Sequence, residues 1–148
     1  MKAALVLAPL LVASPISTAA PRTAPVFLAS PLAKAQNLPF SSGVVVGRTL
    51  YIAGTTGVDP GEANRPDPSQ EARIVMNRVE QTVKMAGMTM DDVVEVQVFC
   101  TDLSDYVPFN AVYGTYFHGH YPARAFIGVA GLTFGARYEV MGIAVRRR

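Results

Sequence analysis

Two charged side chains stand in otherwise apolar segments near the end of the chain, and they are the first candidates for chemistry. Arg124 heads an alternating run of small and apolar residues, and Glu139 lies inside a second run of the same kind. Alternation of this kind predicts β-strands. A charge on a strand is costly unless it faces water, a ligand or a partner chain. We therefore expect Arg124 and Glu139 to face one of these.

The two residue types suit the handling of a small acid. A guanidinium group can hold a carboxylate through two parallel hydrogen bonds, and it stays charged at any working pH. A glutamate can orient a water molecule or exchange a proton. A purely structural alternative is a salt bridge between Arg124 and Glu139, formed between neighbouring strands or across subunits. The two residues by themselves leave both interpretations open.

Other familiar site patterns are missing from the sequence. It contains no glycine-rich phosphate loop and no Gly-x-Ser-x-Gly elbow. His118 and His120 form the only histidine cluster, and without a third ligand nearby they indicate a solvated loop. Cys100 alternates with apolar residues and is expected to pack in the core rather than act as a reactive thiol. The sequence therefore predicts neither a metal nor a cofactor.

Length and composition favour one domain preceded by an export signal. The chain has 148 residues, half of them hydrophobic, which suffices for a single core. Within residues 1–19, Lys2 precedes a short apolar run and then small residues, the outline of a secretory signal cleaved after Ala19. The apolar run is too short to span a bilayer, so no stable membrane insertion is expected after cleavage. The less favoured alternative is an uncleaved tail that is disordered or acts as an anchor. We expect an exported protein, periplasmic or secreted.

The charge balance argues against nucleic acid as a partner. Without Lys2, the 13 basic residues become 12, against 11 acidic ones, so the mature chain is nearly neutral. The three arginines at positions 146–148 are interpreted as a solvated tail rather than a binding patch. With one cysteine, an exported domain also has no internal disulfide and depends on packing or self-association.

Hydrophobic periodicity and turn residues place the elements. Residues 20–37 are interpreted as a linker or loosely packed arm, and residues 38–148 as the domain. Asp67, Pro68 and Gln70 form a helix-start signature, and Gly87 is the stop. The predicted elements in order are strands 43–47 and 49–54, helix 68–86, strand 93–101, helix 106–117, and strands 125–130 and 137–145.

The order β-β-α-β-α-β-β predicts a single α+β domain in which two helices cover one face of a mixed sheet. The opposite face also carries apolar residues at alternating positions. Such a surface would be a liability in a monomer, so we expect self-association to bury it.

Six dispersed segments resemble, in order, the signatures of the RidA (YjgF-like) family of imine deaminases. The segments are LPFS at 38–41, LYIAGxxGxDP at 50–60, DDVVxxxVFxTD at 91–102, FNxVY at 109–113, PAR at 122–124 and GAxYEV at 135–140. The resemblance covers nearly the whole mature chain. It implies a chorismate-mutase-like fold assembled as a homotrimer, with small-molecule sites in clefts between subunits.

The resemblance also implies roles for individual residues. Arg124 is similar to the family arginine that grips the carboxylate of a 2-imino or 2-keto acid, and Glu139 to the acid that positions the attacking water. Asn110 corresponds to a polar residue at the cleft, and Gly54 to the strand whose backbone lines it. Three further positions differ from many deaminating members: they are Phe40, in place of tyrosine, Thr55, in place of a frequent glutamine, and Phe126, in place of cysteine. These differences imply a larger and drier pocket.

The implied reaction is addition of water to the imine carbon of a small substrate carboxylate, followed by loss of ammonia to give the 2-keto acid. An imine is already reactive, so holding it beside one water needs no cofactor. One alternative is a trimer that binds a small keto acid without turnover. Another is an endoribonuclease, which the near-neutral mature chain disfavours.

Overall fold

The computed structural model describes residues 24–61 and 65–147, in which six strands and three α-helices form. In chain order they are β1 (Val26–Leu28), α1 (Pro31–Ala35), β2 (Gly43–Val46), β3 (Thr49–Thr56), α2 (Pro68–Met85), β4 (Val93–Cys100), α3 (Tyr106–Tyr113), β5 (Ala123–Gly128) and β6 (Tyr138–Val145). The strands make one sheet in the order β1-β2-β3-β6-β4-β5. All neighbours are antiparallel except β4 and β5, whose parallel pairing requires the crossover through α3.

From β2 to β6 the element order is the one that periodicity predicts, so the α+β fold with a mixed sheet is confirmed. Helices α2 and α3 pack on one face of the sheet and enclose its core. None of the helices in the described part of the chain is both long and apolar enough to cross a membrane.

The N-terminal part of the domain begins earlier than the sequence indicates. Strand β1 pairs antiparallel with β2, with Val26 opposite Val45 and Leu28 opposite Gly43, and α1 follows it. Both elements lie within residues 20–37, interpreted above as a linker or arm, so the sheet extends ahead of the expected boundary at Leu38. A three-residue strand is too short to show a period, and its pairing with β2 is non-local. The predicted signal, residues 1–19, lies outside the described residues.

Helix α2 begins and ends where its capping residues predict. Asp67 Oδ1 accepts a hydrogen bond from the Gln70 backbone N–H at 2.9 Å, and Gln70 Oε1 accepts one from the Asp67 N–H at 3.3 Å. This reciprocal capping box satisfies two of the free N–H groups at the helix start. At the other end, Gly87 has a φ of 67°, the left-handed conformation that glycine adopts most readily.

Alternation along the strands separates a buried face from an outer face. Leu50, Val98, Cys100 and Val140 are completely buried under the helices. Burial raises the pKa of the Cys100 thiol, although its hydrogen bond to the Asp102 carbonyl acts in the opposite direction. Cys100 is therefore a core residue, as predicted.

The outer face of the sheet carries large apolar side chains in contact with solvent. Four of these side chains come from four different strands: Val46 is 42% exposed, Tyr51 51%, Ile127 38% and Met141 37%. The predicted apolar outer face is thus confirmed. Its burial by self-association remains a prediction.

Arg146 and Arg147 are exposed to solvent, as predicted, but their side chains also make contacts within the fold that a free tail would not make. The Arg146 guanidinium donates a hydrogen bond to the Ala86 carbonyl at the end of α2 at 2.6 Å. A cation there also interacts favourably with the negative end of the helix dipole. Arg147 Nε donates to Asp92 Oδ1 at 3.0 Å. Composition alone could not reveal these partners, which are distant in sequence.

Asp92→Asn should lower the free energy of unfolding in a pH-dependent way. The Thr89 N–H, at 2.9 Å from Asp92 Oδ2, and the Arg147 side chain hold the pKa of the Asp92 carboxyl below its usual value, despite opposing desolvation. Because the folded pKa is the lower one, the ionised group stabilises the fold above its unfolded pKa of about 4, and this contribution is lost as the pH falls through the folded pKa. Near neutral pH the loss should be about 1 kcal/mol.

The measurement is urea denaturation of both proteins from neutral to acidic pH. Asp91→Asn is the matched control, since the Asp91 carboxylate is 35% exposed and its Oδ2 lies 3.9 Å from Arg147 NH2. We expect a change below about 0.5 kcal/mol for that variant. A difference between wild type and Asp92→Asn that stays constant down to the acid limit would contradict the linkage.

Candidate functional site

Arg124 and Glu139 leave the sheet on opposite faces. On β6, Tyr138 and Val140 are completely buried, and the Tyr138 ring packs 4.9 Å from the Phe109 ring of α3, centroid to centroid. Glu139 stands between them and therefore points to the outer face. On β5, the Arg124 side chain lies on the helix side, where its guanidinium carbon is 4.6 Å from the centroid of the Tyr113 ring.

The opposite orientation of the two side chains excludes one form of the salt bridge considered above. A salt bridge between Arg124 and Glu139 of neighbouring strands in one chain is wrong, because the sheet lies between the two groups. Within residues 24–61 and 65–147, no carboxylate is within ion-pair distance of Arg124. A contact between Arg124 of one subunit and Glu139 of another stays open.

The first group of candidates surrounds Arg124, and we call it the arginine site. Its members are Arg124, Tyr106, Asn110, Tyr113 and Phe126. Tyr106, Asn110 and Tyr113 share one face of α3, being four and three residues apart. The guanidinium carbon of Arg124 also lies 5.7 Å and 5.8 Å from the ring centroids of Tyr106 and Phe126. Aromatic faces attract a cation and leave its N–H groups free for a ligand.

Two polar atoms of the arginine site are buried without a partner. Asn110 Oδ1 and the Tyr113 hydroxyl receive and donate no hydrogen bond within the described part of the chain. Burial raises the pKa of Tyr113 to about 12, although the charge of Arg124 acts in the opposite direction. The phenol therefore stays protonated around neutral pH and can donate a hydrogen bond. Together with Arg124 it offers two kinds of donor to an anion.

Sequence reasoning assigned Asn110, Arg124 and Phe126 to the site but missed Tyr113. The signal was available, because Tyr113 follows Asn110 by three residues in the FNxVY segment and thus lies on the same helix face. Phe126 packs edge-to-face against Tyr106 at 5.0 Å and Phe109 at 5.5 Å, centroid to centroid. It forms the floor of the arginine site.

The second group of candidates shares a cleft of about 700 Å³, which we call the glutamate cleft. Of the sequence-predicted residues, the cleft contains Glu139, Gly54 and Phe40. The whole lining consists of Ser30, Pro31, Ala33, Gln36, Leu38, Phe40, Ser42, Ala53, Gly54, Thr55, Thr56, Val58, Asp59, Pro60, Arg78, Gln81, Thr82, Thr133, Phe134 and Glu139.

Gly54 leaves room for the close approach of Glu139. A Cβ built on Gly54 would overlap Glu139 Oε1, so a side chain at this position would shift the carboxylate. The pairing of β3 with β6 shifts register between Ile52 and Thr55, which places Gly54 in an irregular segment of β3. A glycine inside a strand often marks such a bulge or close approach. The Glu139 carboxylate is partly exposed and accepts no hydrogen bond from the described residues.

The predicted set thus separates into two half-sites. Glu139, Gly54 and Phe40 line the glutamate cleft, whereas Arg124, Asn110 and Phe126 form the arginine site. One chain does not bring the two together.

A further acidic residue, Glu71 of α2, holds the start of β6. Its side chain is completely buried, and Oε1 accepts hydrogen bonds from the backbone N–H groups of Arg137 at 2.5 Å and Tyr138 at 3.3 Å. Its Oε2 lies 3.8 Å from Arg137 Nε, an ion pair longer than a hydrogen bond. Glu139 follows Tyr138 directly in the chain. Glu71 therefore fixes the position from which the Glu139 side chain enters the glutamate cleft. Sequence reasoning missed Glu71, although it precedes Val75 by four residues on the buried stripe.

The structure offers no alternative metal chemistry in the part it describes. No group of three or more histidine, cysteine or acidic side chains there could hold a metal ion. His118 and His120 are exposed in the segment between α3 and β5.

Comparison with known proteins gives a consistent family. Residues 31–146 match the family model described as Endoribonuclease L-PSP. A 2-iminobutanoate/2-iminopropanoate deaminase of Mus musculus is 38% identical over 110 residues, which are 73% of this chain and 82% of the mouse protein. The Homo sapiens protein of the same name is 34% identical over 110 residues, covering 73% of this chain and 80% of its own length.

Solved structures agree with these relatives. The YjgF gene product of E. coli has a TM-score of 0.74 and 32% identity, covering 82% of this chain and 99% of that one. The structure of E. coli TdcF with bound serine has a TM-score of 0.68 and 33% identity, covering 74% of this chain and 89% of that one.

Glu71→Ala should lower the free energy of unfolding by about 3 kcal/mol, because it leaves the backbone N–H groups of Arg137 and Tyr138 without their buried acceptor, whereas the Arg137 guanidinium keeps Asp105. Glu71→Gln keeps one oxygen acceptor and should cost less. Chemical denaturation near neutral pH measures both. Glu80→Ala on the same helix is the control, since the Glu80 side chain is 34% exposed and pairs only with Lys84 in the described structure. That variant should change by less than about 0.5 kcal/mol. Equal losses at both positions would contradict the role of Glu71.

Proposed function

Because the chain belongs to the Endoribonuclease L-PSP family, which contains the YjgF/RidA proteins, we propose that it hydrolyses reactive 2-imino and enamino acids to 2-keto acids and ammonia. One observation carries this proposal: Arg124 meets no carboxylate within the described chain and lies beside unpaired buried atoms of Asn110 and Tyr113. Such a site suits a small carboxylate. The deaminase names of the mouse and human relatives support the reaction type.

The complete site forms between subunits in this proposal. The arginine site of one subunit faces the glutamate cleft of its neighbour, and three subunits close the ring as a homotrimer. Two observations support this arrangement: the side chains of Arg124 and Glu139 leave one sheet on opposite faces, and the outer face carries the exposed side chains of Tyr51, Ile127 and Met141. A repeated contact between two different surfaces closes naturally into a cyclic oligomer.

The arginine site binds and orients the substrate. The guanidinium of Arg124 holds the substrate carboxylate through two hydrogen bonds, and the Tyr113 hydroxyl supplies a further donor. The surrounding rings exclude water from one side of the ion pair and so strengthen it. Fixing the carboxylate also fixes the neighbouring imine carbon, so the barrier falls mainly through positioning.

The glutamate cleft supplies the water. The Glu139 carboxylate accepts a hydrogen bond from a water molecule and takes its proton as the water oxygen bonds to the imine carbon. The electron pair of the C=N double bond moves to nitrogen, which is protonated. In the second step the hydroxyl proton passes to the amino nitrogen, the carbon–nitrogen bond breaks, and ammonia leaves as the keto group forms. One water is consumed and one ammonia is released, without oxidant or cofactor.

A second candidate function is binding of a small carboxylate without turnover. The structure of E. coli TdcF with bound serine favours this candidate, because it shows that a protein similar to this chain holds an amino acid. The same two half-sites would serve it, so only a rate measurement separates the two functions. Nuclease activity, which the name of the family describes, has weaker support here because the chain carries a formal net charge of only +2.

We propose in addition that residues 1–19 direct export and are removed after Ala19. The support is the sequence pattern of Lys2, an apolar run and small residues. Intact-mass measurement of the protein recovered from a periplasmic fraction tests this directly. The expected mass is that of a chain beginning at Ala20, and a cytosolic full-length product would contradict the proposal.

Arg124→Ala should lower kcat/KM for an imine made in situ by an amino-acid oxidase by about 100-fold, because the bidentate hold on the carboxylate is lost. Arg124→Lys should retain part of the rate, since it keeps the charge without the planar fork. Competition with semicarbazide, which traps the remaining imine, measures the rate. Exposed Arg73 on α2 provides the control Arg73→Ala, which should equal wild type. If wild type is no faster than the spontaneous reaction while pyruvate binding is lost in Arg124→Ala, the protein is a carboxylate binder.

Mixing two inactive variants tests whether Arg124 of one subunit and Glu139 of another act on the same substrate. Arg124→Ala lacks one half-site and Glu139→Gln lacks the other. When they are unfolded and refolded together in equal amounts, about a quarter of the inter-subunit sites should contain both intact halves. Recovery of about that fraction of activity is expected. No recovery in mixed oligomers, confirmed by native mass spectrometry, would show that the two residues do not act across an interface.

A further inference from the structure

Most polar groups on one wall of the glutamate cleft are already occupied. Arg78 donates hydrogen bonds to the Thr56 carbonyl at 2.9 Å and to Asp59 Oδ2 at 2.9 Å. The Thr82 hydroxyl donates to the Arg78 carbonyl at 3.1 Å, and the Thr56 hydroxyl donates to the Val58 carbonyl at 3.1 Å. This wall therefore offers no free cation to a ligand. A substrate carboxylate is not expected to bind here.

The hydroxyl groups beside α1 are engaged as well. Ser42 Oγ accepts a hydrogen bond from the Ser30 N–H at 3.0 Å, and Ser30 Oγ accepts one from the Ala33 N–H at 3.2 Å. These contacts hold α1 next to β2. Among the charged residues that line the cleft, Arg78 is paired, and the Glu139 carboxylate accepts no hydrogen bond from the described residues.

The rest of the lining is largely apolar, and two phenylalanine rings dominate it. The side chain of Phe40 is 55% exposed and that of Phe134 is 60% exposed. Phe134 has a φ of 57°, a left-handed conformation that is uncommon for a residue with a large side chain. A protein that exposes two aromatic rings in one cleft, one of them on a strained backbone, has the features of a binding surface.

The size of the cleft is also informative. A volume of about 700 Å³ lies in the range of sites for drug-sized ligands. In the cleft of one chain, the three-carbon chain of 2-iminopropanoate would leave most of this space and both rings in contact with water. A long or aromatic side chain would displace that water, and burial of apolar surface is favourable in proportion to its area.

We propose that the glutamate cleft binds the side chain of the substrate and selects imino acids with a large apolar or aromatic side chain, such as those formed from leucine and phenylalanine. This inference rests on the proposed deaminase function. The imine carbon lies at the Glu139 end, the carboxylate is held by Arg124 of the neighbouring subunit, and the side chain extends along Phe40 and Phe134. These two phenylalanines are specificity-determining residues of the cleft.

The experiment compares kcat/KM for imines generated by an amino-acid oxidase from leucine, phenylalanine and alanine. We expect the two large substrates to exceed the alanine-derived imine by at least about tenfold, since even one additional methylene in an apolar pocket has an effect of that size. Phe134→Asn should reduce this ratio towards one. Asparagine tolerates the left-handed backbone, so the variant removes the ring without adding strain. Phe27→Asn is the matched control, because Phe27 is 70% exposed on β1 and does not line the cleft.

Binding of the product keto acids, measured by calorimetry, separates the inference from the function on which it rests. Phenylpyruvate should bind at least about tenfold more tightly than pyruvate, and Phe134→Asn should remove the difference. Turnover with no preference for large imines would overturn the inference and keep the deaminase function. Absence of turnover with every imine would overturn the deaminase function, and the calorimetric ratio would then support or overturn the apolar selectivity. A preference that survives in Phe134→Asn as in Phe27→Asn would overturn the role of Phe134.

Discussion

The two-residue period of a β-strand is the constraint on which the rest of this structure depends. Side chains alternate between faces, so Tyr138 and Val140 enter the core while Glu139 between them must point outwards. The same alternation turns the side chain of Arg124 on β5 to the helix face, where it lies against α3. A charge buried towards the helices would be costly without a partner, and here three aromatic rings and solvent share its surroundings. One chain therefore does not place the two side chains on the same face of its sheet.

The sequence was a good guide wherever local patterns control the outcome. The capping box at Asp67, the glycine stop at Gly87 and the alternating residues of β4 each specify an element through neighbours close in the chain. The resemblance in six segments also indicates Arg124, Glu139 and Gly54 as candidate site residues, and their roles stay predictions. Their distribution over two faces follows from strand alternation together with the register of β4 with β5 and β6.

The features that sequence reasoning missed depend on contacts between distant segments. Strand β1 is stable only because it pairs with β2, and Arg146 and Arg147 find partners near the end of α2 and at Asp92. Glu71 is a charged residue in an apolar stripe of α2. Its role as a hydrogen-bond acceptor depends on the start of β6, which packs beside α2 only in the folded chain. Such partners are set by packing, which composition and periodicity do not describe.

The missing side chain of Gly54 has a consequence for how this protein can change over time. The Glu139 carboxylate occupies the space that a Cβ at position 54 would need, so the two positions are not independent. An alanine at 54 would require the Glu139 carboxylate to move, and a shorter residue at 139 would remove the oxygen proposed to bind water. Either change alters the position that is proposed to hold the attacking water. The effect of a substitution at one of the two positions should therefore depend on which residue stands at the other.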